Sequence, residues 1–330
     1  MCEKDKISVV IPCFNVQEYI MRCFDSIKNQ TYGFENIEII FVDDLSTDKT
    51  WSMLETLKEK YPENIITVKL DKKGHSGGAR NVGIDMCSGK YTTFVDADDW
   101  VHPEMFTLLH EQMLKDDYDI VQSMAFMFSE EEPEIKEIGS YKIDSYDFSD
   151  IETRKKVIVG LTNDLNLTVW SKLYRTKFLK DDHIRFIENC YFEDNHYTLI
   201  CTLLANKFCK IHIPLYGYYT NLNGTIVKRL SPDRIRDLKF VIEKALEDIK
   251  ERKLDQTVAG QCKDELDNFV FYKLYVETTT NLEIGYNAER EYYKKGILDI
   301  LPNILDNPYV KNATKENILN KIEYLKNDEK

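Results

Sequence analysis

The first 115 residues alternate between two spacings of apolar positions. Short, continuous apolar runs occur at 7–14 (ISVVIPCF), 37–44 (IEIIFVDD), 65–70 (IITVKL) and 91–97 (YTTFVDA). Their β-branched content and unbroken apolarity are the pattern of parallel strands buried on both faces. Between them the period changes. Val16, Tyr19, Ile20, Cys23, Phe24 and Ile27 fall on one helical face within 16–30,. A second helix is predicted over 46–61 with Ser46 or Thr47 as N-cap. A third runs over 77–89, opened by glycines and closed by Gly89, and a fourth starts at Pro103,. Strand–helix alternation with short links predicts an α/β fold: a mostly parallel sheet, Rossmann-like, with helices on both faces. Such sheets take ligands at the carboxyl ends of their strands.

Beyond residue 115 the pattern loosens. A strand-like run, DIVQSMAFMF (119–128), precedes an acidic stretch, SEEEPEIKE (129–137), and 151–228 is mixed. From 231 onward helical periodicity with Lys/Glu-rich faces dominates. The expected organisation is one α/β domain over 1–229, in halves 1–115 and 116–229, followed by a helical region over 230–330. That helical region is a candidate for oligomerisation or for docking to membrane-bound machinery.

Composition narrows the function. The formal net charge of −13 argues against a nucleic-acid partner, which needs a basic face,. It leaves room for a phosphate-bearing ligand held through a cation. The eight cysteines form no C-x-x-C pair and no apolar run reaches membrane-spanning length, so a cytoplasmic protein is expected, at most peripheral at the membrane,.

The stretch FVDADDW (94–100) gathers Asp96, Asp98 and Asp99 at the end of the fourth strand. Oxygen-only side chains on a tight turn are hard ligands suited to Mg²⁺ or Mn²⁺; a capping turn is the plain alternative. Three further features share that rim. Glycines and Arg80 open the third helix in GHSGGARNVG (74–83), a candidate cradle for a diphosphate,. In IPCFN (11–15), Phe14 offers a ring for a flat base. Asp43 and Asp44 offer acceptors for a base or ribose. His75, alone in its loop, reads as a bystander.

The order and spacing of SVVIPCFNVQEYIMRCFDSIKNQTY, IEIIFVDDLSTDKT and GGARNVGIDMCSGKYTTFVDADD closely resemble family 2 glycosyltransferases. VWSKLYRTKF (169–178) and YFEDNHYT (191–198) resemble the acceptor-side half of bacterial members. The resemblance implies a glycosyltransferase-A fold and inverting transfer from a nucleotide-diphosphate sugar, usually a UDP-sugar, to a glycan, polyol-phosphate or lipid-linked acceptor. It assigns the nucleotide to Pro12, Phe14, Asn15, Glu18, Asp43, Arg80, Asp96 and Ala97, and the divalent cation to Asp96 and Asp98. Asp194 becomes the general base, beside Glu193 at a helix start whose dipole is expected to keep it ionised. Trp170 and Lys172 are placed near the acceptor, although a core aromatic and a surface charge explain them equally well. Where relatives carry an Arg-containing stretch and a Ser-Ile pair, this chain has Tyr219 or Thr220 and Gly224-Thr225-Ile226, with Lys228 or Arg229 left to close over the diphosphate.

A dehalogenase-type phosphatase wants its D-x-D on the first strand, and a sugar-nucleotide pyrophosphorylase wants a Gly/Arg-rich loop after strand one. This chain has neither. A non-catalytic nucleotide-sugar sensor or assembly subunit remains the rival from a different class, with the intact Asp194 arguing against it.

Overall fold

A computed structural model describes residues 4–129, 138–150, 168–220, 232–254 and 312–327, together with residues 133, 152, 153, 298 and 305. The chain forms two compact units. One comprises Met1–Phe148 with Thr168–Leu222, and the other Ser149–Leu167 with Asn223–Lys330. In the second unit the described residues include the helices Pro232–Glu251 and Asn312–Asn327. No described helix is long and apolar enough to cross a membrane.

The first unit is built on one nine-stranded sheet. Strands β1 (Ile7–Cys13), β2 (Ile37–Asp43), β3 (Ile65–Lys69) and β4 (Tyr91–Phe94) fall on the predicted apolar runs and pair in parallel, in the order β3-β2-β1-β4. β1 and β2 are almost wholly buried, as their unbroken apolarity requires. Helices α1 (Ile20–Lys28), α2 (Thr50–Lys60) and α3 (His75–Met86) connect them.

The remaining strands make the sheet mixed. These are β5 (Trp100–Val101), β6 (Ile120–Phe128), β7 (Ile143–Asp147), β8 (Lys172–Arg175) and β9 (Lys207–Tyr219). β8 is antiparallel to β4 and β6; β9 runs parallel to β6 and antiparallel to β5 and β7. Parallel pairing therefore characterises the amino-terminal half, and "mostly parallel" does not extend to the whole sheet. Helix α4 (Met105–Met113) lies between β5 and β6; α5 (Thr176–Asp181) and α6 (Glu193–Leu204) follow β8.

Two boundaries differ from the sequence expectation for a local reason. The fourth strand stops at Phe94 because Asp99 N–H bonds the Asp96 carbonyl, closing a turn (3.0 Å). α2 starts at Thr50, whose N–H donates to Asp48 Oδ1 (2.9 Å). Ser46 and Thr47 are used elsewhere: Ser46 Oγ accepts the Asn15 N–H and Thr47 N–H donates to Asn15 Oδ1, lacing the β1 and β2 loops together.

Candidate active site

The carboxyl-end rim carries backbone in the left-handed region at non-glycine residues: Asn15 after β1, Leu45 after β2, His75 after β3 and Phe192 just before α6. Leu and Phe gain nothing locally from that conformation, and such strain concentrates at functional sites.

The Asp turn resolves into two roles. Asp99 is buried and structural. Its Oδ2 accepts the Tyr216 hydroxyl (2.5 Å) and its Oδ1 the Tyr219 N–H (2.8 Å). Burial, reinforced by the charges of Asp98 and Asp96, raises its carboxyl well above the usual range. Tyr216 also accepts the Asp96 N–H (3.1 Å), so β9 clamps the turn twice. Arg22 Nη2 donates to the Asp98 carbonyl (2.6 Å), its guanidinium stacked 4.3 Å from the Tyr219 ring centre. Asp96 and Asp98 keep partly exposed side chains. Burial and then the neighbouring Asp96 charge push the Asp98 carboxyl up to about 6. Two accessible carboxylates that repel each other, with Asp99 turned inward, are a donor set that fits Mg²⁺ or Mn²⁺.

The glycine-rich helix start is where a diphosphate cradle was expected. Its leading amides already hold an internal anion: Asp44 Oδ1 accepts the Gly74 N–H (2.7 Å) and Oδ2 the His75 N–H (3.1 Å). Arg80 is likewise committed. Its Nη2 donates to Asp96 Oδ1 (2.7 Å) and its Nη1 to Glu193 Oε1 (2.6 Å), with the residue buried. Burial alone would depress the guanidinium's pKa, but Asp96 and Glu193 raise it.

Gly77 serves close packing. A Cβ on Gly77 would lie 2.2 Å from the Ile187 carbonyl oxygen and 3.2 Å from Glu193 Cγ. Gly77→Ala gains up to about 1 kcal/mol in helix propensity. It meets an overpacking cost of about 1–3 kcal/mol against backbone that cannot rotate away. We expect net destabilisation, read as a lower urea midpoint.

Asp194 sits in the first turn of α6, partly exposed, with its Oδ1 accepting the Asn195 N–H (2.9 Å). The expectation that the helix start keeps it readily ionised is corrected. Burial and the adjacent Glu193 charge outweigh the attraction of Arg80 and raise it to about 7.

The other expected residues divide. Phe14 and Glu18 are exposed on the rim, with Pro12 partly buried. Lys73 Nζ already lies 2.9 Å from the Phe14 ring centre and donates to the Asp44 carbonyl (2.8 Å). Asn15 spends its side-chain oxygen on Thr47. Asp43 is wholly buried, its carboxylate facing the Ser46 N–H, and gives a ligand no surface. Ala97 is buried too.

Trp170 lies flat on Tyr216 (4.6 Å, 9°) and Tyr218 (5.8 Å, 21°), so one face of its ring is taken. Lys172 is no surface charge: it is 2% exposed and donates to the Thr168 carbonyl. His75 makes an edge contact with Tyr191. Gly224, Thr225, Ile226, Lys228 and Arg229 lie outside the described residues, as do 130–132 and 134–137 of the acidic stretch and most of 255–330. Arg22, Lys73 and Tyr216 were not singled out from sequence and carry no local signal there; Asp44 was, as the second acid of VDD, and Tyr219 only as standing near the relatives' Arg position.

A family model described as "Glycosyl transferase family 2" matches residues 8–182, more than half of the chain. The chain belongs to glycosyltransferase family 2. It is an α/β glycosyltransferase of the glycosyltransferase-A fold. Among family relatives, glycosyltransferase GlyA of Streptococcus pneumoniae is 31% identical over 221 residues, 66% of this chain and 31% of GlyA. The poly(ribitol-phosphate) beta-N-acetylglucosaminyltransferase TarS of Staphylococcus aureus is 26% identical over 272 residues, 77% of this chain and 43% of TarS. The matches thus span less than half the length of either relative. The crystal structure of S. aureus TarS 1–349 in complex with UDP-GlcNAc superposes with a TM-score of 0.71 at 18% identity, covering 97% of this chain and 90% of that one. Mannosyltransferase PcManGT from Pyrobaculum calidifontis, in complex with GDP-Man and Mn²⁺, gives 0.56 at 15% identity, covering 100% and 89%.

Proposed function

We propose that this glycosyltransferase is metal-dependent and inverting, and moves a sugar from a UDP-sugar to a hydroxyl of a cell-surface polymer, a polyol-phosphate chain or related glycan precursor. The observation that carries the reading is the placement of Asp96 and Glu193, next to Asp98 and Asp194 respectively, on the two arms of one buried guanidinium. A carboxylate pair suited to a cation and a carboxylate suited to a proton are thereby held side by side. TarS, crystallised with UDP-GlcNAc, and PcManGT, with a nucleotide sugar and Mn²⁺, support the donor and metal classes.

In this mechanism Asp96 and Asp98 hold the cation, which when bound neutralises the charge growing on the departing diphosphate. Asp194 takes the proton of the acceptor hydroxyl, and that oxygen bonds to the anomeric carbon as the bond from that carbon to the phosphate oxygen breaks. One displacement inverts the anomeric configuration and releases UDP. The face of Phe14 receives the base once Lys73 swings aside. We place the reaction in the cytoplasm, where Cys13, Cys23, Cys87, Cys190, Cys201 and Cys209 stay as the free thiols they are here,.

Because the base acts ionised and its carboxyl titrates near 7, kcat/KM should fall tenfold per pH unit below about pH 7 and level off above it,. A flat profile between pH 5 and 8 contradicts Asp194 as base. The function itself is tested by incubating the chain with UDP-glucose or UDP-N-acetylglucosamine, Mn²⁺ and poly(ribitol phosphate). Release of UDP with a product of inverted anomeric configuration supports it. Binding of UDP without any transfer supports a sensor instead.

A further inference from the structure

β9 holds the two ends of the acid turn. Tyr216 Oη accepts the Asp96 N–H (3.1 Å) and donates to Asp99 Oδ2 (2.5 Å), and the Tyr219 N–H donates to Asp99 Oδ1 (2.8 Å). Asp98, between them, is held from α1 instead. Arg22 Nη2 donates to the Asp98 carbonyl (2.6 Å), and the next residue, Cys23, places its Sγ 3.6 Å from the Asp96 carbonyl. The Arg22 guanidinium lies against three aromatic rings, 4.3 Å from the centre of Tyr219, 5.0 Å from Phe128 and 5.7 Å from Tyr19. Tyr219 packs in turn on Phe128 (5.3 Å) and Tyr19 (5.5 Å). The Thr220 N–H and Oγ1 both donate to the Phe128 carbonyl (2.8 and 2.9 Å), which ties the ends of β6 and β9 together beside the cage. Three separate elements, α1, β6 and β9, therefore fix the direction of one guanidinium, and that guanidinium fixes the Asp98 backbone.

We propose that Arg22 is a positioning residue for the divalent cation: caged by Tyr19, Phe128 and Tyr219, it holds the Asp98 backbone and so presets the Asp98 carboxylate as a ligand. The proposal rests on the reading of Asp96 and Asp98 as cation ligands given above. Arginine suits the task because its planar face is attracted to aromatic rings while its edge still donates, which a lysine ammonium does less well. Groups that orient metal ligands from behind matter nearly as much as the ligands, and their loss costs about 10–100-fold in metal affinity. The positive charge of Arg22 opposes that benefit by repelling a cation. At this partly exposed position water screens the repulsion, so positioning wins,.

The test compares wild type, Arg22→Leu and Arg22→Lys. UDP binding is measured by calorimetry without cation and across a Mn²⁺ series, and the melting temperature is measured without cation. Without cation all three bind UDP with affinities within about threefold of one another. The Mn²⁺ concentration that gives half of the enhancement of UDP binding rises about 10–100-fold in Arg22→Leu. Arg22→Lys keeps the charge and a donor but not the planar fork, and its midpoint rises at least about threefold. That rise carries the test alone if Arg22→Leu does not fold. Mn²⁺ midpoints equal to wild type in the variants, whatever their melting temperatures, reduce Arg22 to a scaffold for the ends of β6 and β9 and overturn the proposal. A lower midpoint in Arg22→Leu overturns it as well, because repulsion then outweighs positioning. So does a loss of cation-free UDP affinity of about tenfold or more, which makes Arg22 a nucleotide ligand. Wild-type UDP binding that ignores Mn²⁺ sinks the reading of Asp96 and Asp98 as cation ligands, and the role of Arg22 with it.

Discussion

Asp194→Asn is expected to reduce sugar transfer by about 10²–10⁴-fold, the range a positioned general base contributes, while UDP still binds in the presence of Mn²⁺. The amide keeps the shape of the carboxylate and its bond to the Asn195 N–H but cannot take a proton,. The fold should tolerate the change. Asp194 is a carboxylate that burial and Glu193 already push towards neutrality, so a neutral isostere removes repulsion without creating a new unpaired charge. Loss of turnover together with a preserved melting temperature and preserved UDP binding separates an enzyme from a sensor. Retained transfer in this variant excludes Asp194 as the base.

Asp98→Asn carries the second large effect. Asp98 and Asp96 are the accessible members of the acid turn; Asp96 is tied to Arg80, whereas Asp98 has no ion pair among the described residues. Replacing Asp98 would therefore remove a proposed cation ligand without stranding a buried partner. A cation at a leaving diphosphate supplies several kcal/mol. Since 1.36 kcal/mol is tenfold in rate, losing half of its carboxylate anchor should cost about two powers of ten at fixed Mn²⁺. Turnover should recover in part at much higher Mn²⁺, and the melting temperature measured without cation should stay unchanged. Asp99→Asn should behave in the opposite way. Its two oxygens bind Tyr216 and Tyr219, so stability suffers before metal dependence does. Equal loss of metal dependence in both variants contradicts this division of the acid turn.

These roles show where sequence reading reached and where it stopped. β1 to β4 were legible because each is a continuous apolar run bounded by turn residues, and the Asp turn was legible because its chemistry is local. The antiparallel half was not. β9 serves β5, β6 and β7 at once, and no periodicity within 207–219 announces three partners. The split of the acid turn was hidden for the same reason: Asp99 is settled by Tyr216 and Tyr219, about 120 residues away. Arg80 looked like a free cation beside glycines, and only the fold brings Glu193, 113 positions on, to its other arm. Asp44 and Asp43 are adjacent in sequence. The structure buries both, giving Asp44 the helix start and Asp43 the Ser46 N–H. Lys172 read equally well as an acceptor contact or a surface charge, and the strand it sits in runs through the sheet interior.

The most direct measurement is a calorimetric titration of the full chain with UDP, with and without Mn²⁺. The account predicts binding that strengthens at least tenfold with Mn²⁺ and loses that enhancement in the Asp96→Asn, Asp98→Asn double variant. Wild-type UDP binding that is absent, or identical with and without the cation, would contradict the donor and metal site at the centre of this account.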